Sequence, residues 1–536
     1  MTRKKASGVW PKAALEKIRK KYANHDFEIC ENRDVEDPLD IEKKMNDRFP
    51  FFDFLKSQDL SLYSRYYNNK LEFITHHLAH AHAAILMSPF DKCIIIVIDG
   101  AGSKIKQFEK NHPEKNFFPN HTNIHENTAE ERSIYLFDNG QLQCVQKKWQ
   151  TFKRSEKYPT HYFSEGLGTM YEKAAEYIFN SKRAAGKVMG LAPLSSEFLN
   201  IENSEKFLDD LDWSKSFQNK DKNSWEQSPN LNLYKKISLS VQKYFEKNIL
   251  DQLKDLRIKY PEYNRIILTG GCALNCTTNI KILEQNIFDE VFVPPNPGDE
   301  SIGLGTAYYK FTKTYNPSWR AWTHDIQNGF FGATESMPTD DIIFSVFQDF
   351  EITKPDCISK HCANLLADGK IIGWFQGRSE IGPRSLGHRS ILARPDKIGV
   401  KDELNLNIKF RESFRPYGSS VLDSRAETYF HLPKNFKNPY MSFAVQVKAE
   451  YKTKLSEVTH VDNTSRMQTV IPHQNEKFYK LISDFGDLTG LFCVLNTSLN
   501  IMGEPIIETI QDACKFLDTV PVYGMAVEKY FIRKKL

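Results

Sequence analysis

Apolar residues in this chain fall into two patterns, short unbroken runs and longer periodic stretches, and each predicts a different element. Cys93–Gly100 reads CIIIVIDG, a β-branched run that predicts a buried strand ending at Asp99 and Gly100. A second strand is predicted at Ser133–Phe137, and Asp138-Asn139-Gly140 is a turn signal, so 133–149 reads as a hairpin. Ile266–Leu268 predicts a strand running into Gly270 and Gly271, and 371–375 predicts another. Helices are predicted at Lys12–Ala23, Leu71–Met87, 168–179, 233–257 and Ile358–Asp368, with 50–67 continuing the helical layer. Polar stretches separate these elements. Residues 103–132 read as a long insertion between two strands, 196–232 as a loop or a short-helix connection, and 315–355 contains the domain connection. No tandem repeat is present.

Composition narrows the class. At 536 residues the chain is too long for one core and fits two domains. Hydrophobic content of 40% and charged content of 26% are those of a globular protein. A net charge of +4 is small for this length, so the basic residues read as local ligands and nucleic-acid binding is not expected. No stretch of 18 apolar residues exists and the basic N-terminus lacks an apolar signal core, so no membrane association is expected and the cytoplasm is the default. The nine cysteines form no CxxC pair. Cys93, Cys272 and Cys493 lie in apolar, strand-like runs, and free thiols are the expectation.

Candidate chemistry concentrates in two regions. Gly373–Pro395 reads GWFQGRSEIGPRSLGHRSILARP, which sets Arg378, Arg384, Arg389 and Arg394 among Gly377, Gly382 and Gly387. Guanidinium groups bind phosphate bidentately, and glycine lets backbone N–H groups approach an anion. Further donors follow: Lys409, Arg411 and Arg415 in LNIKFRESFRPYGSSV, Asp462, Arg466 and Gln468 in HVDNTSRMQTV, and Asn496, Thr497, Ser498, Glu504 and Pro505 in LNTSLNIMGEP. No Walker-type loop is present, so a phosphorylated ligand has to be held by side chains. The competing reading is a solvated loop rich in arginine.

The second region is THHLAHAHAA, Thr75–Ala84, where a helix puts His76 and His80 on one face. Such a helix can also simply pack. Asp99 at the strand end and Asp299 on the glycine-rich turn of VFVPPNPGDESIGLG complete a set of two imidazoles and two carboxylates, which suits a divalent transition metal.

These motifs resemble the O-carbamoyltransferase family, which acts on Nod factors, aminoglycosides and cephems. HHLAH, IDG, SEGLGTMY, GKVMGLAP, TGGCALN and NPGDESIGLG are similar to its Kae1-like domain, and the arginine-rich segments to its YrdC-like domain. The resemblance implies an α/β and α+β protein, with an ASKHA (actin/Hsp70-like) domain at 1–335 followed by a YrdC-like α/β domain at 336–536. It implies that His76, His80, Asp99 and Asp299 hold Fe²⁺, and that Gly270, Gly271 and Asn275 form a nucleotide-cradling turn. Arg378, Arg384, Arg389, Lys409, Arg411 and Arg415 are then catalytic, and Glu380, Asp462, Arg466, Asn496, Thr497 and Ser498 bind nucleotide or carbamoyl phosphate. ATP, with Mg²⁺, and carbamoyl phosphate are the implied substrates of a carbamoyl-adenylate-forming step. The implied acceptor is a small-molecule hydroxyl on a sugar, antibiotic, toxin or glycan precursor, and a homodimer is compatible with the family.

One departure is expected. Family members begin with a strand carrying an aromatic-His-Asp-Ser-Ala motif, and TRKKASGVWPKAALEKI resembles the stretch that follows it, so the first hairpin is expected to be missing. Two other readings stay open: carbamoyl or threonylcarbamoyl transfer to a macromolecule, and a binding protein that kept the fold and lost catalysis. The stretches 103–132 and 196–232 are candidates for acceptor choice or for neutral surface.

Overall fold

The computed structural model describes residues 30–31, 72–105, 114–117, 125, 127–219, 221–315, 329–332, 338–434, 436–501 and 503–535. The helices expected at Lys12–Ala23 and 50–67 lie outside the described residues, as does the stretch compared with the family's N-terminal motif.

Helix α1 spans His76–Met87. Alanines at 79, 81, 83 and 84 favour helix, and the Thr75 hydroxyl caps it by accepting the Leu78 N–H at 3.0 Å. It starts later than the expected Leu71 because Glu72–Phe73 is extended. Next come β1 (Lys92–Ile98) and a hairpin of β2 (Thr128–Asp138) and β3 (Gln141–Thr151). Then follow α2 (Leu167–Phe179), α3 (Ala185–Leu191) and α4 (Leu231–Lys259). After them come β4 (Arg265–Thr269), α5 (Cys276–Glu284), β5 (Glu290–Phe292) and α6 (Ile302–Tyr315).

These strands form one five-stranded sheet in the order β3-β2-β1-β4-β5. At its centre Ile95 pairs antiparallel with Tyr135 and parallel with Ile267. The unbroken apolar run of β1 is explained by its two covered faces. Ile94, Ile96 and Ile98 point into one core with α2 and α4, while Cys93, Ile95 and Val97 point into another with α1. Burying each such side chain contributes roughly 1.5–3 kcal/mol.

The hairpin is longer than expected at both ends, and this corrects the reading of 103–132 as one polar insertion. Thr128–Arg132 are strand, with Glu130 and Glu131 fully buried. The 196–232 connection does form short helices, at Ser204–Asp210 and Lys222–Glu226.

The second half builds a larger sheet. Its strands are β6 (Phe350–Thr353), β7 (Ile372–Phe375), β8 (Arg389–Ala393), β9 (Gly418–Leu422) and β10 (Ala444–Gln446). They are joined by β11 (Thr464–Val470), β12 (Cys493–Ser498), β13 (Gly524–Val527) and β14 (Tyr530–Lys534). Their order is β6-β14-β13-β7-β8-β12-β9-β11-β10. Helices α7 (Ile358–Ala367), α8 (Glu476–Thr489) and α9 (Ile510–Thr519) accompany it. The fold is therefore a mixed α/β one with two principal sheets. Among the described residues, no helix is long and apolar enough to cross a membrane. The eight described cysteines are free. Cys272 sits on a 3₁₀ turn and not, as expected, in a strand-like run, because Gly270 ends β4 in a left-handed conformation (φ 86°).

Candidate functional site

Three turns meet at the edge of the first sheet. The end of β1 supplies Asp99, the turn after β4 supplies Gly270 and Gly271, and the turn before α6 supplies Asp299. Gly270 N–H donates to Pro297 O at 2.8 Å, and Gly271 N–H to Asp99 Oδ1 at 3.3 Å. Helix α6 lies hard against α1, because a Cβ on Gly305 would sit 1.8 Å from the Ala79 carbonyl oxygen. This contact brings Asp299 over the histidines of α1.

His76, His80, Asp99 and Asp299 do converge, each offering one ligand atom, all within 4.8 Å of one another. Asp99 Oδ2 lies 3.1 Å from Nε2 of both histidines, and Asp299 Oδ1 lies 3.3 Å from His76 and 3.6 Å from His80. The two Nε2 atoms are 3.2 Å apart. Ligand atoms about 2.0–2.2 Å from one ion are separated by such distances, so the residues present fit a single divalent cation. His80 is fully buried while the Asp299 side chain is 75% exposed, which leaves one side open to an incoming group. Burial opposes charge on His76, but its hydrogen bonds to Asp299 and Asp99 win and raise its pKa to about 10. Burial likewise opposes ionisation of Asp99, yet both histidines hold it well below the usual carboxylate range.

One neighbour was missed by sequence reasoning. Glu172 on α2 lays its carboxylate over Gly100. Burial first, then the negative charges of Asp99 and Asp299, push its pKa up to about 7. Its place follows from a contact that the sequence does not mark: Glu172 follows Gly168 by four residues, on the same helix face, and Gly168 touches the Asp99 carbonyl. Asn275 is placed differently from Gly270 and Gly271. Its Oδ1 caps α5 by accepting the Thr278 N–H at 3.1 Å, and its Nδ2 donates to Tyr171 Oη and Gln242 Oε1.

The second-half residues divide into two groups. Arg384, Arg411, Arg415 and Arg466 form a cation cluster. Arg466 is drawn down to about 9 by burial and by Arg384, Arg411 and Arg415, and Arg415 to about 10 by burial and its arginine neighbours. Among the described residues the side chains of Arg384 and Arg466 make no hydrogen bond or ion pair, and Arg466 Nε is buried without a partner. Arg411 is oriented by Asn405 Oδ1 at 2.8 Å and by stacking on Tyr417. The chain reaches it through a π-helical turn, Leu404–Ile408, and a left-handed Phe410 (φ 48°). Below the cluster, Asn496 Nδ2 donates to Ser420 Oγ at 2.9 Å and to the Ser385 carbonyl at 3.2 Å, while its Oδ1 is buried and unpartnered.

The other group is committed to internal contacts. Fully buried Arg389 donates to the carbonyls of Gln376, Gly377, His388 and Glu508 and stacks on Phe375. Lys409 donates to the Ser498 carbonyl and hydroxyl and to Asn500, fixing the end of β12 where Thr497 and Ser498 lie. Glu380 Oε1 accepts three N–H groups, from Leu386, His388 and Arg389, and so shapes the loop that carries Arg384. Exposed Arg378 donates to the carbonyls of Phe331 and Gly332, and Asp462 accepts from Thr464.

Arg384 links the two clusters. Arg384 is within electrostatic reach of Cys276 at the start of α5 and of Glu300 beside Asp299. Arg384 lines a narrow cleft with Ala273, Leu274, Pro297 and Ser442.

Two family descriptions match the chain: "Carbamoyltransferase N-terminus" over residues 32–308 and "Carbamoyltransferase C-terminus" over 363–534. Nodulation protein NolNO of Sinorhizobium fredii is 30% identical over 87% of the chain and 64% of its own length. Nodulation protein NolO of Bradyrhizobium diazoefficiens is 30% identical over 86% of the chain and 79% of its own length. A 3'-hydroxymethylcephem-O-carbamoyltransferase of Streptomyces clavuligerus is 31% identical over 52% of the chain and 50% of its own length. The chain thus spans a little under two thirds of the first of these relatives.

Proposed function

Because the chain belongs to the carbamoyltransferase family, we propose that it is an ATP-dependent O-carbamoyltransferase whose two clusters run two successive half-reactions. The observation that carries this reading is the pairing of a two-histidine, two-aspartate site with a separate buried arginine cluster, in which the side chains of Arg384 and Arg466 have no protein partner among the described residues.

In the first half-reaction, water releases phosphate from carbamoyl phosphate, and the carbamate attacks the α-phosphorus of ATP to give carbamoyl-adenylate and pyrophosphate. Negative charge gathers on the departing phosphates. Arg384, Arg411, Arg415 and Arg466 are the groups that neutralise it, since burial opposes the charge of all four and the arginine neighbours of Arg415 and Arg466 add a repulsion that an anion relieves. Asn496 offers its unpartnered Oδ1 to an N–H donor such as the carbamoyl amide. Mg²⁺ accompanies ATP in this scheme. Lys409, Arg389 and Glu380 act by holding the loops, which refines their roles from direct contact to positioning.

In the second half-reaction an acceptor hydroxyl attacks the carbamoyl carbon, AMP leaves, and the hydroxyl proton passes to a base. His76, His80, Asp99 and Asp299 would hold a divalent ion such as Fe²⁺, which supplies Lewis-acid polarisation of the carbonyl. Glu172, with its raised pKa, stands beside this site as a group able to take a proton near neutrality. The strand order 3-2-1-4-5 of the first sheet supports the ASKHA, Kae1-like reading of 1–335, and the larger sheet with its arginine cluster supports the YrdC-like reading of 336–536. The acceptor we favour is a small sugar-like hydroxyl, in line with the cephem and nodulation relatives.

The test separates the halves. His80→Ala is expected to abolish carbamoyl transfer to an acceptor while keeping carbamoyl-phosphate-dependent pyrophosphate release. Arg384→Ala is expected to lower both by about 10²-fold or more. Full transfer by His80→Ala would remove the metal site from the mechanism.

A further inference from the structure

Residues 103–132 read as surface in the sequence, yet two of their carboxylates are buried behind α1. Glu130 on β2 has a fully buried side chain, and that of Glu114 is only 4% exposed. Both meet the ammonium of Lys147 on β3, itself fully buried: Nζ lies 3.1 Å from Glu114 Oε2 and in direct contact with Glu130 Oε1.

Burying three charges is costly unless each is paired and its remaining hydrogen-bonding capacity is used. Here that capacity is directed at one place, the first turn of α1. Glu114 Oε2 accepts the hydroxyl of Thr75, the helix cap, at 2.8 Å, and its Oε1 accepts the Tyr135 hydroxyl at 2.8 Å. Glu130 Oε2 accepts the His77 N–H at 3.3 Å and the Ser103 N–H at 3.1 Å. Ser103 Oγ in turn accepts the His76 N–H at 2.8 Å. The backbone donors at the start of α1, which have no partner within the helix, are therefore held by this network. The Thr75 cap satisfies only the Leu78 N–H, and the network takes the His76 and His77 N–H groups as well. What the larger network adds is a fixed position for the turn that carries His76.

We propose that Glu114, Glu130 and Lys147 are a buried positioning triad that sets the place of His76 in the metal site. This rests on the metal reading given above, and the triad touches none of the arginine cluster.

The test uses the full chain and Co²⁺ as probe, with affinity read by competition against a chelator and coordination read from the visible absorption bands. Glu130→Gln and Ser103→Ala are compared with the wild-type chain and with His80→Ala. Both are expected to weaken Co²⁺ binding by about ten- to a hundredfold and to shift the bands, with pyrophosphate release unchanged. His80→Ala is expected to abolish binding. If both variants bind Co²⁺ with wild-type affinity and spectrum while His80→Ala does not bind, the triad is only structural and the inference fails with the metal reading intact. If the wild-type chain binds no Co²⁺, both fall together. Should Glu130→Gln not fold, Ser103→Ala decides, since it removes one hydroxyl and keeps every charge.

Discussion

Asp99 is the residue on which the first site turns. One oxygen accepts N–H groups from Gly100 and Gly271, and the other faces both histidines, so a single carboxylate ties the end of β1 to the turn after β4 and to α1. Its importance was legible, because a carboxylate ending a buried strand has few structural uses. Glu172 was not legible as a partner, since nothing in SEGLGTMYE marks which helix face meets Asp99. Its raised pKa gives a test. In the metal-free protein the folded chain keeps a proton on Glu172 that the unfolded chain has lost, between pH about 4.5 and about 7, so this group makes stability fall as pH rises through that window. Glu172→Gln should flatten that part of the profile in urea unfolding measured at pH 5 and 7.5. An unchanged slope would show that Glu172 is not held in its neutral form. Among the cations, the sequence showed which residues are basic but not what occupies them: Arg389 and Arg384 look alike in GPRSLGHR, and only burial against four carbonyls tells them apart.

Elements were readable where a pattern was pure. The run in β1, the Asn-Gly turn and the long periodic α4 all form close to where expected. The start of β2 was hidden because Glu130, Glu131 and Arg132 are charged, and buried charges defeat a rule that equates polarity with surface. The packing of α1 on α6 depended on one position that looked ordinary. Gly305 lets the helices touch, so Gly305→Ala has to push the Ala79 carbonyl away and carry Asp299 with it. A loss of about 1–3 kcal/mol is expected, with weakened metal binding. A wild-type melting temperature and wild-type metal affinity would show that the close contact does not place Asp299.

At the scale of the whole molecule, the arginine-bearing segment 409–417 is docked on the first half rather than free. Phe414 packs against both Phe179 and Trp225, Lys187 on α3 pairs with Glu412, and the Ser413 N–H donates to Glu226 at 2.8 Å. GKVMGLAP was readable as a family motif, but its role as a seat for that segment required the fold, because the partners are more than 200 residues apart, with |i−j| of 225 for Lys187 and Glu412. Such docking ties the arginine-bearing segment to the first half, as the proposed passage of a labile acyl-adenylate between the two halves requires. The most direct measurement of this account is pyrophosphate release from ATP by the intact chain, with and without carbamoyl phosphate and with no acceptor present. The account predicts release that depends on carbamoyl phosphate; folded protein that releases none, or releases it equally without carbamoyl phosphate, would contradict it.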